Sequence, residues 1–223
     1  MNIKEIYERF NEIGCVVFST IDGEYPMTRI AHFYACDEEG LYFRTMKIKP
    51  FYNQLNKTKK VSVCGMSSNT EVSHDDKGMP TFDAGYTIRV TGDVKEVSFN
   101  TLEEKAKKNK DFLVGVKDTI KYPNTASFCL YRGYGEVFDY DFEMISRDNK
   151  LIRIPFHFNG IKVPFRGLKI NDNCIGCGAC FSKCSFKAIE KDGEKFKIDP
   201  YKCDLCGDCY SVCNHKAIDT YME

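Results

Sequence analysis

The chain has 223 residues, and its 32 basic side chains balance its 32 acidic ones. No block of like charge is long enough to predict a nucleic-acid or membrane partner, so we expect small molecules or other proteins as partners. The opening MNIKEIYERFNEIG lacks the apolar core of a secretion signal, and no apolar run approaches the roughly 20 residues of a membrane span. These features favour a cytoplasmic protein, and the length favours one larger domain joined to a small one.

The first third of the chain predicts a helix followed by an antiparallel meander. Ile3, Ile6, Phe10 and Ile13 recur at helical spacing, and Gly14 stands where a C-cap would sit. The β-rich runs that follow, separated by turn signals, are CVVFSTI, an Asp-Gly turn, MTRIAHFYA, a DEEG turn and LYFRTM.

The next segments mix helical and strand patterns. KPFYNQLNKT predicts a short helix with Phe51 and Leu55 on one face, and VSVCGMS predicts a strand. Residues 68–81 are polar and predict an exposed loop. After them come a strand pair in YTIRVTGDVKEV, a charged helix with Asn100 as its N-cap, and the β-rich run SFCLYRGYGEVFDY.

Three regions follow from these patterns. Six or so strands with one or two helices predict a mainly β, closed or nearly closed barrel over residues 1–140. Residues 141–167 mix aromatic, basic and Pro/Gly residues without a period, which predicts an ordered connector. Residues 168–223 predict a small α+β ferredoxin-like domain, for the reason given next.

Eight of the twelve cysteines lie in an internal repeat. CIGCGACFSKCSFKAI begins at Cys174, and CDLCGDCYSVCNHKAI begins 29 residues later at Cys203. Each copy reads C-x2-C-x2-C-x3-C, the run of bacterial ferredoxins, in which three close thiolates hold one [4Fe–4S] cluster and the fourth reaches the other cluster. So strict a repeat indicates two copies of one unit. The predicted ligands are Cys174, Cys177, Cys180 and Cys213 for the first cluster, and Cys203, Cys206, Cys209 and Cys184 for the second.

A pair of zinc sites is the alternative, because paired C-x2-C thiolates also hold structural zinc. Zinc needs four ligands in one tetrahedron, whereas the repeat supplies two crossed quartets. Ser185 and Asn214 stand where proline usually follows the fourth cysteine, a change that removes no ligand. Glycines at 176, 178 and 207 suit tight loops around the sulfides. The other four cysteines lack ligand spacing and are predicted to be buried, inert thiols: Cys15, Cys36, Cys64 and Cys129.

The predicted elements of the first region follow the order helix, strand, Asp-Gly turn, strand with Pro26 and Arg29, turn, LYFRT and basic helix start. This order resembles that of the pyridoxamine-5′-phosphate-oxidase-like split barrels. The resemblance covers about residues 1–140 and implies a homodimer that binds FMN at the subunit interface. It implies phosphate contacts from Arg29, Thr45 and Lys49, residue types that complement a phosphate dianion. The further candidates it implies are Arg44, Lys47, Gln54 and Arg89; the alternative for each is a solvated surface charge or polar group.

Clusters and flavin complement each other, because a [4Fe–4S] centre passes one electron whereas most organic substrates take two. The sequence therefore predicts an iron–sulfur flavoprotein oxidoreductase that passes electrons from a redox protein such as a ferredoxin, through two clusters and FMN, to a small acceptor. His32 is the candidate proton donor. One alternative is a non-enzymatic carrier with the barrel as dimerisation scaffold, and another is a nitroreductase-like detoxifying enzyme. Oxygen-sensitive clusters also predict an anaerobic or strongly reducing cytoplasm.

Overall fold

The computed structural model describes residues 1–67, 72–82, 85–140, 151–162 and 166–222. The chain forms two compact units, here named the barrel unit and the cluster unit. The barrel unit consists of Met1–Ser67, Thr87–Glu136 and Pro155–Lys162, and the cluster unit of Ser68–Tyr86, Val137–Ile154 and Val163–Glu223. The domain boundaries at 140 and 167 stay predictions.

The described helices are α1 (Ile3–Ile13), α2 (Pro50–Thr58), α3 (Phe99–Lys108), a 3-10 turn (Lys110–Phe112), α4 (Leu113–Lys121), α5 (Ala179–Lys183) and α6 (Asp208–Ser211). The described strands are β1 (Val16–Asp22), β2 (Tyr25–Ala31), β3 (Ala35–Asp37), β4 (Gly40–Met46), β5 (Lys60–Ser67), β6 (Val72–His74), β7 (Pro80–Phe82), β8 (Tyr86–Val97), β9 (Thr125–Tyr140), β10 (Leu151–Phe158), β11 (Arg166–Ile170), β12 (Ile189–Asp192), β13 (Lys195–Ile198) and β14 (Ile218–Met222). No helix within the described residues is both long and apolar enough to cross a membrane.

Helix α1 has both of the ends that its sequence predicts. The Asn2 side chain accepts the Glu5 N–H, and the Glu5 carboxylate accepts the Asn2 N–H, each at 2.9 Å, which completes a capping box. Gly14 ends the helix at φ +81°, a conformation that favours glycine. Ile6 and Phe10 are buried, so the apolar stripe faces the core.

One large sheet forms the barrel unit. Its strand order is β2-β1-β5-β8-β9-β4-β3, and β10 also pairs with β9. The β1–β2 and β3–β4 pairs are antiparallel, and each closes over a turn that the sequence predicts. Aromatic rings fill the interior: Phe43 lies within 6.0 Å of Phe18, Phe33, Phe51 and Phe128, measured between ring centroids. The prediction of a mainly β, barrel-like fold is confirmed.

Residues 86–97 depart from the prediction of a strand pair, because β8 is one continuous strand. Gly92 is not a turn residue. A Cβ at this position would lie 2.1 Å from the backbone oxygen of Arg132 on β9, so glycine permits close approach of two strands.

Two further local predictions are wrong. Ser98, not Asn100, caps α3, and its hydroxyl accepts the Thr101 N–H at 3.2 Å. The predicted loop at 68–81 contains β6 and most of β7, which pair with each other.

The cysteines outside the repeat also differ from one another. Cys129 is fully buried, and burial raises the pKa of its thiol to about 12. Cys15 and Cys64 are exposed, contrary to prediction: Cys15 precedes β1, and Cys64 lies on β5 at a position that strand alternation turns outward.

The cluster unit is a small α+β fold, as predicted. Strand β11 pairs with β14, β12 pairs with β13, and the short helices α5 and α6 each follow a cysteine loop. Its buried core contains Leu168, Ile189 and Ile218 together with the thiols of Cys180 and Cys209. Two of the eight cluster cysteines are therefore also core residues.

Candidate cluster and flavin sites

Each predicted cysteine quartet lines a cavity of its own in the cluster unit. The first cavity is lined by Cys174, Cys177, Cys180 and Cys213. The second is lined by Cys184, Cys203, Cys206 and Cys209. The structure thus brings together the crossed sets that the ferredoxin pattern predicts, with the fourth cysteine of each copy at the other copy's cavity.

Residues with positive φ, in the left-handed backbone conformation, shape the cysteine loops. Gly178 and Gly207 stand at the N-caps of α5 and α6 with φ of +78° and +82°. Gly176 has φ +71°, and a Cβ there would lie 2.1 Å from the Glu194 oxygen of the β12–β13 turn. In the second copy Leu205 takes the same conformation with its side chain exposed. The first loop therefore requires glycine for packing, and the second tolerates a side chain.

The repeated Lys-Ala-Ile triplet holds the fourth cysteine of each copy. Lys187 and Lys216 have a left-handed backbone conformation, which turns the N–H of the next residue toward a cysteine sulfur. The Ala188 N–H donates to Cys184 Sγ at 3.3 Å, and the Ala217 N–H donates to Cys213 Sγ at 3.3 Å. Amide hydrogen bonds to ligand sulfurs are a means by which proteins tune cluster potentials. The sequence shows the triplet but not this role.

The cysteine sites fit a polynuclear cluster. Within the described residues, no three His, Cys, Asp or Glu side chains converge closely enough to hold a single metal ion. Zinc would need four sulfurs at about 2.3 Å from one point, whereas each quartet surrounds a cavity. Burial raises the pKa of the Cys180 and Cys203 thiols, and that of Cys209 to about 11. The positive charge of iron would offset this cost when the thiols ionise.

In the barrel unit, Arg29 lies against α2 and is held by uncharged groups. Its Nη1 donates to Thr20 Oγ1 at 2.6 Å, and its Nη2 donates to Gln54 Oε1 at 2.7 Å. The guanidinium carbon lies 4.0 Å from the ring centre of Phe51. Partial burial lowers the pKa of Arg29. No carboxylate pairs directly with Arg29 in the described part of the chain, although Asp22 joins the network through Gln54.

Gln54 is buried, and its contacts show what it does. Its Oε1 accepts from both Thr20 and Arg29, and its Nε2 donates to Asp22 at 3.0 Å. Both polar atoms are thus engaged within the protein. The structure places Gln54 as a residue that positions Arg29.

The N-terminus of α2 is open beside this network. Lys49 is its N-cap residue and provides no side-chain cap, while Pro50 occupies the first turn. Lys47 and Lys49 are exposed. A depression of about 520 Å³, whose lining includes Asp22, Ile48 and Gln54, lies next to this end of the helix. Pro50 has no N–H and the Tyr52 N–H donates to the Lys49 oxygen at 3.0 Å, so the groups suited to a phosphate here are the side chains of Lys47, Lys49 and Arg29.

The other predicted residues lie apart from this network. Thr45 is buried on β4 opposite Ala126, and Arg89 on β8 pairs with Glu136. Nη1 of Arg44 lies 2.8 Å from Asp118. His32 is exposed one residue beyond the end of β2, so its predicted place on a strand is wrong. All of these remain predictions as binding or catalytic residues.

Sequence reasoning missed Thr20 and Asp22. Thr20 occupies a buried position of β1, in line with Val16 and Phe18. A hydroxyl among inward-facing apolar side chains is a signal that could have found it, because a buried polar group needs a partner.

Comparison with known proteins bears most directly on the cluster unit. Residues 173–217 match the family described as 4Fe-4S dicluster domain. The C-terminal region contains this domain. Over 34 residues the chain is 53% identical to a ferredoxin-like protein in the nif region of Sinorhizobium fredii. That match covers 15% of this chain and 53% of the relative, so it spans about half of the relative's length.

Three solved structures are similar to the chain over more than half of its length. A NimC/NimA family protein from Clostridium acetobutylicum has a TM-score of 0.49 and 19% identity, with 70% of this chain and 92% of that one covered. A pyridoxinephosphate oxidase family protein from the same organism has a TM-score of 0.41 and 15% identity, with 70% and 96% covered. The haem storage protein HutZ of Vibrio cholerae has a TM-score of 0.39 and 16% identity, with 59% and 90% covered.

Proposed function

We propose that this protein is an iron–sulfur flavoprotein that passes single electrons from a low-potential redox protein through two [4Fe–4S] clusters to FMN, for two-electron reduction of a small acceptor. The carrying observation is the pairing, in one chain, of a dicluster domain with a barrel that holds a cation lacking an acidic partner. When bound, FMN would supply the exchange between one-electron and two-electron chemistry.

The cluster unit supports the electron-transfer part of the proposal. Its two cavities place four thiols each around a space lined mainly by apolar side chains such as Ile170, Phe196 and Ile198. A partly dry environment of this kind holds thiolate-ligated iron while limiting solvent access, and it sets the potential through charge and sulfur hydrogen bonds.

The barrel unit supports the flavin part of the proposal. Arg29 would contact the FMN phosphate, with the side chains of Lys47 and Lys49 around it. Thr20 and Gln54 would fix the guanidinium before the ligand arrives, which lowers the entropy cost of binding. Thr45 and Arg89 are proposed as further flavin contacts, and His32 as proton donor to the acceptor.

A homodimer is part of the proposal. Strand β2 lies at one end of the sheet, and the exposed fractions of its Tyr25 and Ile30 are 72% and 65%. Exposed apolar side chains on a sheet edge are typical of a strand that another chain covers. Sedimentation should therefore show a dimer that Ile30→Asp weakens, whereas Ile120→Asp, on exposed α4, should leave it intact. A monomeric parent chain would contradict this part.

Anaerobic purification followed by cofactor analysis tests the proposed function. We expect about eight iron and eight sulfide, and about one FMN, per chain. Arg29→Ala and Lys49→Ala should each lose FMN and keep iron, whereas Lys117→Ala, an exposed lysine on α4, should keep both. Iron and sulfide without flavin would favour the carrier alternative, and a haem spectrum in place of flavin would contradict the proposal.

A further inference from the structure

The two cluster cavities match in the features that usually set a reduction potential. Cys180 is 8% exposed and its counterpart Cys209 is 6% exposed. The amide hydrogen bonds to Cys184 and Cys213 have the same length of 3.3 Å. Ligand type, solvent exposure and sulfur hydrogen bonding are therefore nearly equal at the two sites.

The charges on the cavity walls differ. Asp204 and Asp208 line the second cavity. The corresponding positions in the first copy of the repeat are Ile175 and Ala179, which line the first cavity. Among the described residues, no Asp or Glu lines that first cavity. The two copies of the repeat thus match in their cysteines and differ in their carboxylates.

The two carboxylates are not equivalent. Asp204 Oδ1 lies 3.8 Å from Nη2 of Arg153, a cation that offsets part of its charge. Asp208 has no ion-pair partner in the described part of the chain. Asp208 should therefore have the larger effect of the two on the second cavity.

Charges outside the cavity walls do not reverse this difference. Lys187 and Lys216 occupy equivalent positions, so their effects cancel. Asp172, near the first cavity, is fully exposed and pairs with Lys195 at 3.3 Å. Lys183 has no charged counterpart, since Val212 takes its place, but it is exposed to water and lines neither cavity. Asp208 is also exposed, but unlike these charges it lies at a cavity, and the effect of a charge falls with distance.

We propose that the two clusters have unequal reduction potentials, and that the first electron to enter the cluster unit resides at the cavity of Cys174, Cys177, Cys180 and Cys213. Reduction adds one electron from an external reductant to a cluster, with no bond made or broken. A carboxylate close to a cluster disfavours the added negative charge. An electron that reaches the second cavity therefore moves downhill to the first. This inference rests on the proposed occupancy of both cavities.

An anaerobic redox titration with dithionite, followed by electron paramagnetic resonance, tests this inference on the full chain. We expect two resolved one-electron steps, with at least a tenfold preference of the first electron for one cluster, or about 59 mV. Asp208→Ala should raise the lower midpoint and leave the upper one in place. Ala179→Asp should lower the upper midpoint instead.

Asp192→Ala is the matched control, since it removes one negative charge from β12 without lining either cavity. It should move neither midpoint. Overlapping midpoints in the parent chain, or equal shifts in Asp208→Ala and the control, would overturn the inference. Iron and sulfide assays accompany each titration: fewer than two clusters in the parent chain contradicts the proposed function itself, whereas two clusters of equal potential contradicts only the asymmetry.

Discussion

The two units bury their side chains in different ways. The barrel unit fills its interior with rings such as Phe18, Phe43 and Phe128, all fully buried without any cofactor. The core of the cluster unit is small, and the thiols of Cys180 and Cys209 form part of it beside the two cavities. A small domain with so little apolar core depends on metal for stability. We therefore expect the barrel unit to fold independently of a cofactor, whereas the cluster unit folds together with its clusters.

Removal of iron should show the difference between the two units most clearly. Chelation under oxidising conditions should unfold the cluster unit and leave a cooperative thermal transition of the barrel, because metal-binding free energy is folding free energy in such domains. Limited proteolysis with mass spectrometry would then show cleavage beyond residue 166 and a resistant barrel. A cluster unit that keeps its protection without iron would contradict the comparison.

A cysteine pair provides the matched control for that experiment. Cys180→Ser should reproduce the loss of iron and of protection in the cluster unit. Cys64→Ser changes an exposed thiol on β5 and should alter neither.

Phe43→Ala should destabilise the barrel unit and leave the cluster unit unchanged. Phe43 is fully buried among four other phenylalanines, so its truncation leaves a cavity and should lower the free energy of unfolding of the barrel by about 3–5 kcal/mol. Denaturant unfolding followed by circular dichroism would measure this change. Iron content should stay at the parent level; joint loss of iron would show that the two units are not independent.

Gln54 variants sharpen the account of the barrel site. Gln54→Leu keeps the approximate volume but removes the acceptor of Arg29, so FMN should bind about tenfold more weakly, the effect of losing one hydrogen bond to a charged group. Gln54→Glu keeps the acceptor but adds a carboxylate beside the phosphate site, and should weaken binding further. Flavin fluorescence titration would measure both. Equal affinity in all three proteins would show that Gln54 does not position Arg29.

The smallest expected effect is on the stability of the barrel at acidic pH. Hydrogen bonds from Lys105 and Lys95 lower the pKa of Glu39 to about 2 from its ordinary 4.5. Because the folded pKa is the lower one, this stabilisation is present above pH 4.5 and is lost as the pH falls toward 2. The side chain is 36% exposed, so the loss should be under about 1 kcal/mol.

Unfolding of the barrel measured at several acidic pH values checks this prediction. Glu39→Gln should flatten the acid dependence slightly. Glu24→Gln, at the exposed β1–β2 turn, should leave it unchanged. An unaltered slope in Glu39→Gln would show that these lysines do not stabilise the carboxylate.

The same contrast explains what the sequence could predict. The cluster cysteines lie within 40 residues of one another at spacings set by a cubane, so local pattern is enough to assign their quartets. The β-rich runs similarly predict β1, β4 and β5. The Arg29 network joins residues from β1, β2 and α2, and its partners became evident only when the fold placed Thr20 and Gln54 beside it. The prediction of a strand pair around Gly92 is wrong for a related reason. Glycine is needed there because β9, which is distant in sequence, approaches β8 closely.

An anaerobic reductive titration of the purified chain tests the central claim most directly, by counting electrons. Two clusters that take one electron each and a flavin that takes two predict about four reducing equivalents per chain, with flavin absorbance bleached in the same titration. Uptake of about two equivalents, with no flavin change, would contradict the account and leave a two-cluster electron carrier.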